Sequence, residues 1–195
     1  MTKAILIGAV IFFSASARAQ IGKDVVKLGV LGGIAAPATN ASAFAGADIA
    51  YQHLLNEHFG VGIATGYQLH FGRNNTVKSV NLVNNDFGVV PVAALLRYYP
   101  TGRGLYVGSD VGYGFITGNK YVVSSPSGQK TERAAGGFYL KPEIGYNMHN
   151  WSFFAHYSKV FNGDDGTITI GSKTQKYETG VLGVGIAYNI GLGRR

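Results

Sequence analysis

The stretch Phe138-Tyr139-Leu140-Lys141-Pro142-Glu143-Ile144-Gly145-Tyr146-Asn147-Met148 alternates without a break. Phe138, Leu140, Pro142, Ile144, Tyr146 and Met148 share one parity. Tyr139, Lys141, Glu143, Gly145 and Asn147 share the other. Period two is the mark of a β-strand. One face here is wholly apolar, and the other carries two opposite charges beside a glycine. The pattern recurs along the chain. Leu182, Val184, Ile186, Tyr188 and Ile190 oppose Gly183, Gly185, Ala187 and Asn189. Val61, Ile63, Tyr67 and Leu69 oppose Gly62, Ala64, Gly66, Gln68 and His70. Trp151, Phe153, Ala155 and Tyr157 oppose Ser152, Phe154, His156 and Ser158.

Working outward, eight such segments fall near 27–37, 43–53, 59–71, 87–99, 104–116, 137–148, 151–161 and 177–190. Short turns follow the second, fourth and sixth. Long polar links, 72–86, 117–136 and 162–176, follow the third, fifth and seventh. Short turns at one end and long loops at the other are the plan of an up-and-down barrel in an outer membrane. The predicted fold is all-β, an eight-stranded antiparallel up-and-down transmembrane β-barrel. An even strand count then puts both chain ends on the periplasmic side.

A soluble β-sandwich or a lipocalin-like barrel would also alternate, with a charged outer face. Here the second face is too rich in Gly and Ala for a solvated exterior, and its charges are isolated. A narrow lumen accounts for both features, because eight strands leave only enough room for side chains. Buried charges must pair, so Asp48, Arg97, Asp110, Lys141 and Glu143 are expected to form a lumenal ion network. The aromatics divide by strand end. Tyr51, Phe59, Tyr98, Tyr146, Trp151 and Tyr188 lie by the short turns. Tyr67, Phe71, Phe87, Tyr113, Phe115, Phe138, Phe161 and Tyr177 lie toward the long loops. Two such belts suit the two interfaces of a bilayer.

Composition agrees. Apolar content of 46% excludes disorder, and the absence of Cys excludes a disulfide scaffold and thiolate metal sites. Charged residues make up only 14%, yet no run of apolar residues is long enough for a membrane helix. At the N-terminus Lys3 precedes an apolar stretch from Ala4 to Phe13, and Ala17-Arg18-Ala19 supplies an A-x-A cleavage site. Residues 1–19 are therefore read as a signal peptide cleaved near Ala19. Residues 20–195 form one outer-membrane β-barrel domain.

The carriers Val90-Pro91-Val92-Ala93-Ala94-Leu95-Leu96-Arg97-Tyr98-Tyr99, Leu105-Tyr106-Val107-Gly108, Leu140-Lys141-Pro142-Glu143-Ile144-Gly145-Tyr146 and Gly183-Val184-Gly185-Ile186-Ala187-Tyr188 give the chain a family look. It resembles the small outer-membrane β-barrel domain family, related in shape to OmpA/OmpX-type barrels, over nearly all of 27–190. The resemblance implies integral residence in the Gram-negative outer membrane. It also implies insertion by the barrel assembly machinery through the last strand. The chain stops at Arg195, so no peptidoglycan-binding domain is expected.

No phosphate loop, nucleophile elbow or paired-His metal spacing occurs, so no cofactor and no metal are expected. His156-Tyr157-Ser158 resembles the His-x-Ser motif of outer-membrane lipid A deacylases, which are also eight-stranded barrels. Residues two apart on a strand share a face, so His156 could act as base toward Ser158, oriented by Glu178 or Asp164. Lys159 stands where that family has Asn. Parity also turns both residues into the lumen, whereas the resemblance implies a site open to lipid. The basic residues Arg73, Lys78, Lys120, Lys130, Arg133, Lys173 and Lys176 lie in or beside the long loops. There they suit the phosphates of lipopolysaccharide and other outer-membrane lipids. They form no patch interleaved with aromatics, which disfavours nucleic acid. The expected function is a non-enzymatic barrel with a structural or surface-interaction role, an extracellular ligand being met by 117–136. A diffusion pore is a variant that eight strands do not favour. The lipid A-modifying enzyme using His156 and Ser158 is the alternative.

Overall fold

A computed structural model describes residues 23–77, 80–124, 130–170 and 173–192; the expected signal peptide, 1–19, lies outside them. The described residues form strands β1 (Asp24–Ala35), β2 (Ala41–Leu54), β3 (Phe59–Gly72), β4 (Asn75–Val77), β5 (Val80–Asn84), β6 (Phe87–Tyr98) and β7 (Leu105–Gly118). They continue with β8 (Tyr121–Ser124), β9 (Lys130–Glu132), β10 (Gly136–Met148), β11 (Trp151–Phe161), β12 (Ile168–Ile170), β13 (Lys173–Gln175) and β14 (Val181–Leu192). The eight long strands close into a barrel in the order β1-β14-β11-β10-β7-β6-β3-β2. Every neighbouring pair is antiparallel, and β1 pairs with β14 from Asp24↔Leu192 to Ala35↔Val181. Closure removes the sheet edges that lipid could not hydrogen-bond.

The parity read from sequence is the parity of the wall. Ile63, Val184, Val30, Val92 and Ile144 face outward and are more than half exposed. Arg97, Asp110, Lys141 and His156 on the other parity are buried. The outer wall is therefore an apolar band, and the interior holds the polar groups. That is the inverse of a soluble barrel and the arrangement lipid selects.

Turn chemistry fixes the register at the short-turn end. Asn56 Oδ1 accepts from the His58 and Phe59 amides at 2.8 and 2.9 Å. His149 adopts a φ of 53° in the two-residue turn between β10 and β11. The left-handed region is available there because the turn has no strand geometry to keep.

At the other end the structure adds elements that alternation did not reveal. The long links contain hairpins of their own. We name the links L1 (36–40), L2 (73–86), L3 (119–135) and L4 (162–180). L2 and L3 join in a four-stranded sheet of order β4-β5-β8-β9, and L4 holds the β12–β13 pair. These strands have three to five residues, too few to display a period. The last barrel strand also begins at Val181 rather than near 177. The segment before it still touches both flanking strands: the Ala36 amide donates to the Gly180 carbonyl at 2.8 Å. Thr179 Oγ1 accepts from the Val160 amide at 2.9 Å and donates to the Val160 carbonyl at 3.0 Å. One hydroxyl thus replaces a ladder rung.

Two members of the expected outer aromatic belt belong elsewhere. Phe87 and Tyr177 are 1% and 4% exposed and pack on each other at 5.0 Å. Phe87 shares the inward parity of Val89 and Arg97, and Tyr177 shares that of Thr179, Val181 and Gly183. The other outer aromatics, Tyr67, Phe71, Tyr113, Phe115, Phe138 and Phe161, are exposed.

The wall predicts its own sensitivity. Val184→Arg puts a charge in the middle of the apolar band and should destabilise the inserted barrel by about 2–4 kcal/mol. Urea titration in lipid vesicles, read by tryptophan fluorescence, is the check. An unchanged midpoint would mean that this face does not meet hydrocarbon.

Candidate functional site

Six ionisable side chains from five strands converge near mid-height of the lumen. They are Lys27 on β1, Asp48 on β2, Arg97 on β6, Asp110 on β7, and Lys141 and Glu143 on β10. Arg97 Nη2 lies 2.8 Å from Asp110 Oδ1 and 2.9 Å from Glu143 Oε1. Lys141 Nζ donates to Asp48 Oδ2 at 2.9 Å. It sits 3.6 Å from Asp110 Oδ2 and 3.5 Å from Glu143 Oε2. The Tyr106 hydroxyl donates to Glu143. The Tyr106 ring lies 5.0 Å from Lys27 Nζ and 5.9 Å from Arg97 Cζ, within cation–π range.

Lys27 is the member that the sequence reading missed. It shares the parity of Gly29, Leu31 and Gly33, so alternation along β1 already turned it inward. With it the cluster holds three cations and three carboxylates. Without it the set would carry an uncompensated negative charge, which is costly in a water-poor interior.

Glycines make room for these groups, residue against residue. In the ladders Asp48 faces Gly29, Arg97 faces Gly108, Tyr106 faces Gly145 and Phe154 faces Gly185. A Cβ at any of the four would run into the partner's side chain. A narrow barrel must alternate small and large across its strands to fill without clash. The glycine-rich face of the sequence is therefore the counter-mould of the polar cluster.

Packing continues above and below. Toward the short turns Gln52 Nε2 donates to the Tyr99 hydroxyl at 2.9 Å, and Ser152 links to Asn147 and Asn189. Toward the loops Gln68 donates to the Tyr139 hydroxyl at 3.2 Å and accepts from Ser158 at 3.4 Å. His70 stacks on Phe87 at 4.4 Å. The mouth is covered by Leu82 of L2, Ala134 of L3 and Tyr177 of L4, all buried against Phe87, Val89 and Ile116. Tyr177 lies outside the barrel strands, and burial pushes its phenol well above the ordinary range. Cavities of about 10 and 20 Å³ flank the ion cluster, room for no more than a single water each.

The structure does not bring the candidate catalytic residues together. His156 is 2% exposed. It packs edge-on to Phe44 at 5.7 Å and beside Phe154 at 5.8 Å, and neither ring nitrogen reaches a protein partner. Ser158 donates to Gln68 instead of His156. Glu178 is paired with Lys159 at 2.7 Å, and Asp164 with Lys176 at 3.2 Å. Hydroxyl, imidazole and carboxylate thus have separate partners. Among the described residues no group of three His, Cys, Asp or Glu side chains is placed to hold a metal.

Comparison with solved structures places this architecture. Ail, the attachment invasion locus protein of Yersinia pestis, aligns at a TM-score of 0.53 and 16% identity, over 88% of this chain and 100% of that one. OprG, an outer membrane protein of Pseudomonas aeruginosa, aligns at 0.50 and 13% identity, over 88% and 97%. The chain has the fold of a small outer-membrane β-barrel. No protein-family model and no curated protein matches it. The Ail structure was determined in complex with the heparin analogue sucrose octasulfate. At such identities the small outer-membrane barrel is shared as a fold, and the side chains described above are this chain's own.

The cluster predicts an asymmetric mutational response. Arg97→Met leaves Asp110 and Glu143 buried without their guanidinium and should cost about 3–5 kcal/mol in vesicle unfolding titrations. Adding Glu143→Gln to Arg97→Met should recover part of that loss. A double variant whose loss equals the sum of the two single losses would show that the groups do not act as one network.

Proposed function

We propose that this protein is an integral outer-membrane barrel, exported by the segment 1–19, whose role is structural or carried by its extracellular loops. The observation that carries the reading is the filled lumen. Charge-paired side chains occupy its middle, and residues of L2, L3 and L4 cover its mouth. Among the described residues, a lumen so packed leaves neither an aqueous path nor an interior pocket for chemistry. What remains available to partners is the loop surface, including 117–136. The partners on the membrane side are lipopolysaccharide and other outer-membrane lipids, and insertion proceeds through the barrel assembly machinery.

The non-enzymatic reading draws support from the separation of His156 and Ser158 from any orienting carboxylate. A triad needs each member within hydrogen-bond reach of the next. Incubating the purified barrel with lipopolysaccharide should release no fatty acid. Release that disappears in Ser158→Ala would reinstate the lipid A-modifying enzyme.

Two further measurements test the main reading. Protein recovered from the outer-membrane fraction should begin at Gln20, as N-terminal sequencing would show. Planar bilayers containing the barrel should show no porin-sized unit conductance. Stable large steps would mean that the mouth and the ion cluster do not block the lumen.

A further inference from the structure

The outer wall carries a trough. One row across β1, β14, β11 and β10 is Gly32, Val184, Ala155 and Ile144, register partners from strand to strand. All four share the outward parity. The row on its short-turn side begins with Val30 and ends with Phe153 and Tyr146. Gly32 and Ala155 stand low beside these larger side chains, and the two rows together line an open trough of about 820 Å³. Crossing four strands, it runs for roughly 14 Å. It also slopes, because barrel strands are tilted. Gly32 lies close to Ala35 at the loop end of β1, and Ile144 close to Met148 at the short-turn end of β10.

An unpaired cation stands at the lower end. Tyr146 pairs with Leu105 across the β7 ladder, and Arg103 precedes Leu105 in the short turn between β6 and β7. The Asn147 amide donates to the Gly104 carbonyl at 2.9 Å, and the Tyr146 ring lies against Gly104. The turn is thereby held beside the end of the trough. Arg103 is exposed, and among the described residues its guanidinium has no ion-pair partner. Tyr98 and Tyr146, both exposed, mark this level as the membrane interface.

We propose that the trough seats one acyl chain of a glycerophospholipid from the periplasmic leaflet, with its phosphate on Arg103. The inference rests on the reading that this wall spans the outer membrane, and it names one lipid site on that wall. A guanidinium takes a phosphate through two parallel hydrogen bonds. Within hydrocarbon, association is decided by packing, since lipid tails are as apolar as the wall. A chain in the trough touches protein at its sides as well as beneath. A chain on a flat wall touches it only beneath. The added contacts are small singly and large together. A second barrel fits less well, because its closed wall curves away and leaves the trough unfilled. Lipopolysaccharide also fits less well, because its phosphates lie at the loop end, opposite Arg103.

The test extracts the full barrel from outer membranes in mild detergent and counts retained lipid by native mass spectrometry. The wild type should keep one phospholipid. Ala155→Leu fills the trough and should lower occupancy about tenfold. Arg103→Gln removes the phosphate contact and should lower it about fivefold. Ala94→Leu adds the same bulk to the outer face of β6, away from the trough, and should leave occupancy within about twofold. Equal losses from Ala155→Leu and Ala94→Leu would overturn the proposal. So would retention of lipopolysaccharide in place of phospholipid, or a dimer that Ala155→Leu separates. Folding is followed by the faster migration of unboiled barrel in gels. If Ala155→Leu prevents folding, Ala155→Val answers the same question. A compact wild-type barrel that keeps no phospholipid defeats the lipid site alone. A wild-type chain that never becomes compact defeats the barrel reading beneath it.

Discussion

A backbone amide inside hydrocarbon has no water to bond, and every other feature of this molecule follows from that constraint. The chain meets it by pairing each barrel strand on both sides and closing β1 onto β14. Closure at eight strands fixes a narrow bore. A narrow bore has little room for large side chains from neighbouring strands at one level, and glycine stands opposite four of them. Asp48, Arg97, Tyr106 and Phe154 occupy the spaces that Gly29, Gly108, Gly145 and Gly185 leave. The ion cluster is thus the form that polar groups take once the wall has been settled.

Most of that wall was legible because a strand writes its two faces in alternate letters. Lys141 and Glu143 between apolar neighbours pointed inward from sequence alone, as did Arg97 and Asp110. Which carboxylate meets which cation was not legible, since pairing depends on register across strands distant in sequence. Lys27 escaped notice because it stands alone near the start of its strand, with Val25, Gly29 and Leu31 on the same parity to suggest an ordinary apolar face. The loop hairpins were hidden for another reason. Three-residue strands are specified by partners rather than by period. Tyr177 was misplaced because a strand-like sequence just before β14 is used as a cover for the mouth. Its hydrophobicity was read correctly, and its direction was not.

Surface and interior follow different rules here. Inside, Arg97 and Lys141 lie within 3.6 Å of the carboxylates of Asp48, Asp110 and Glu143, and Lys27 beside the Tyr106 ring makes the formal charges equal in number. Outside, the loop cations are unevenly shared between L2–L3 and L4, with no packing demand to level them. An imbalance costs little where water and salt screen it, so the loops can keep a sign that the lumen cannot.

The balance of three cations and three carboxylates in the lumen has an electrical consequence. A charge that sits across a membrane feels any potential difference as a force. Opposite charges locked together at one depth feel equal and opposite forces, and the sum vanishes. The interior of this barrel is therefore a dielectric filling without a handle for voltage. Whatever polarisation the outer membrane sustains does no net work on it.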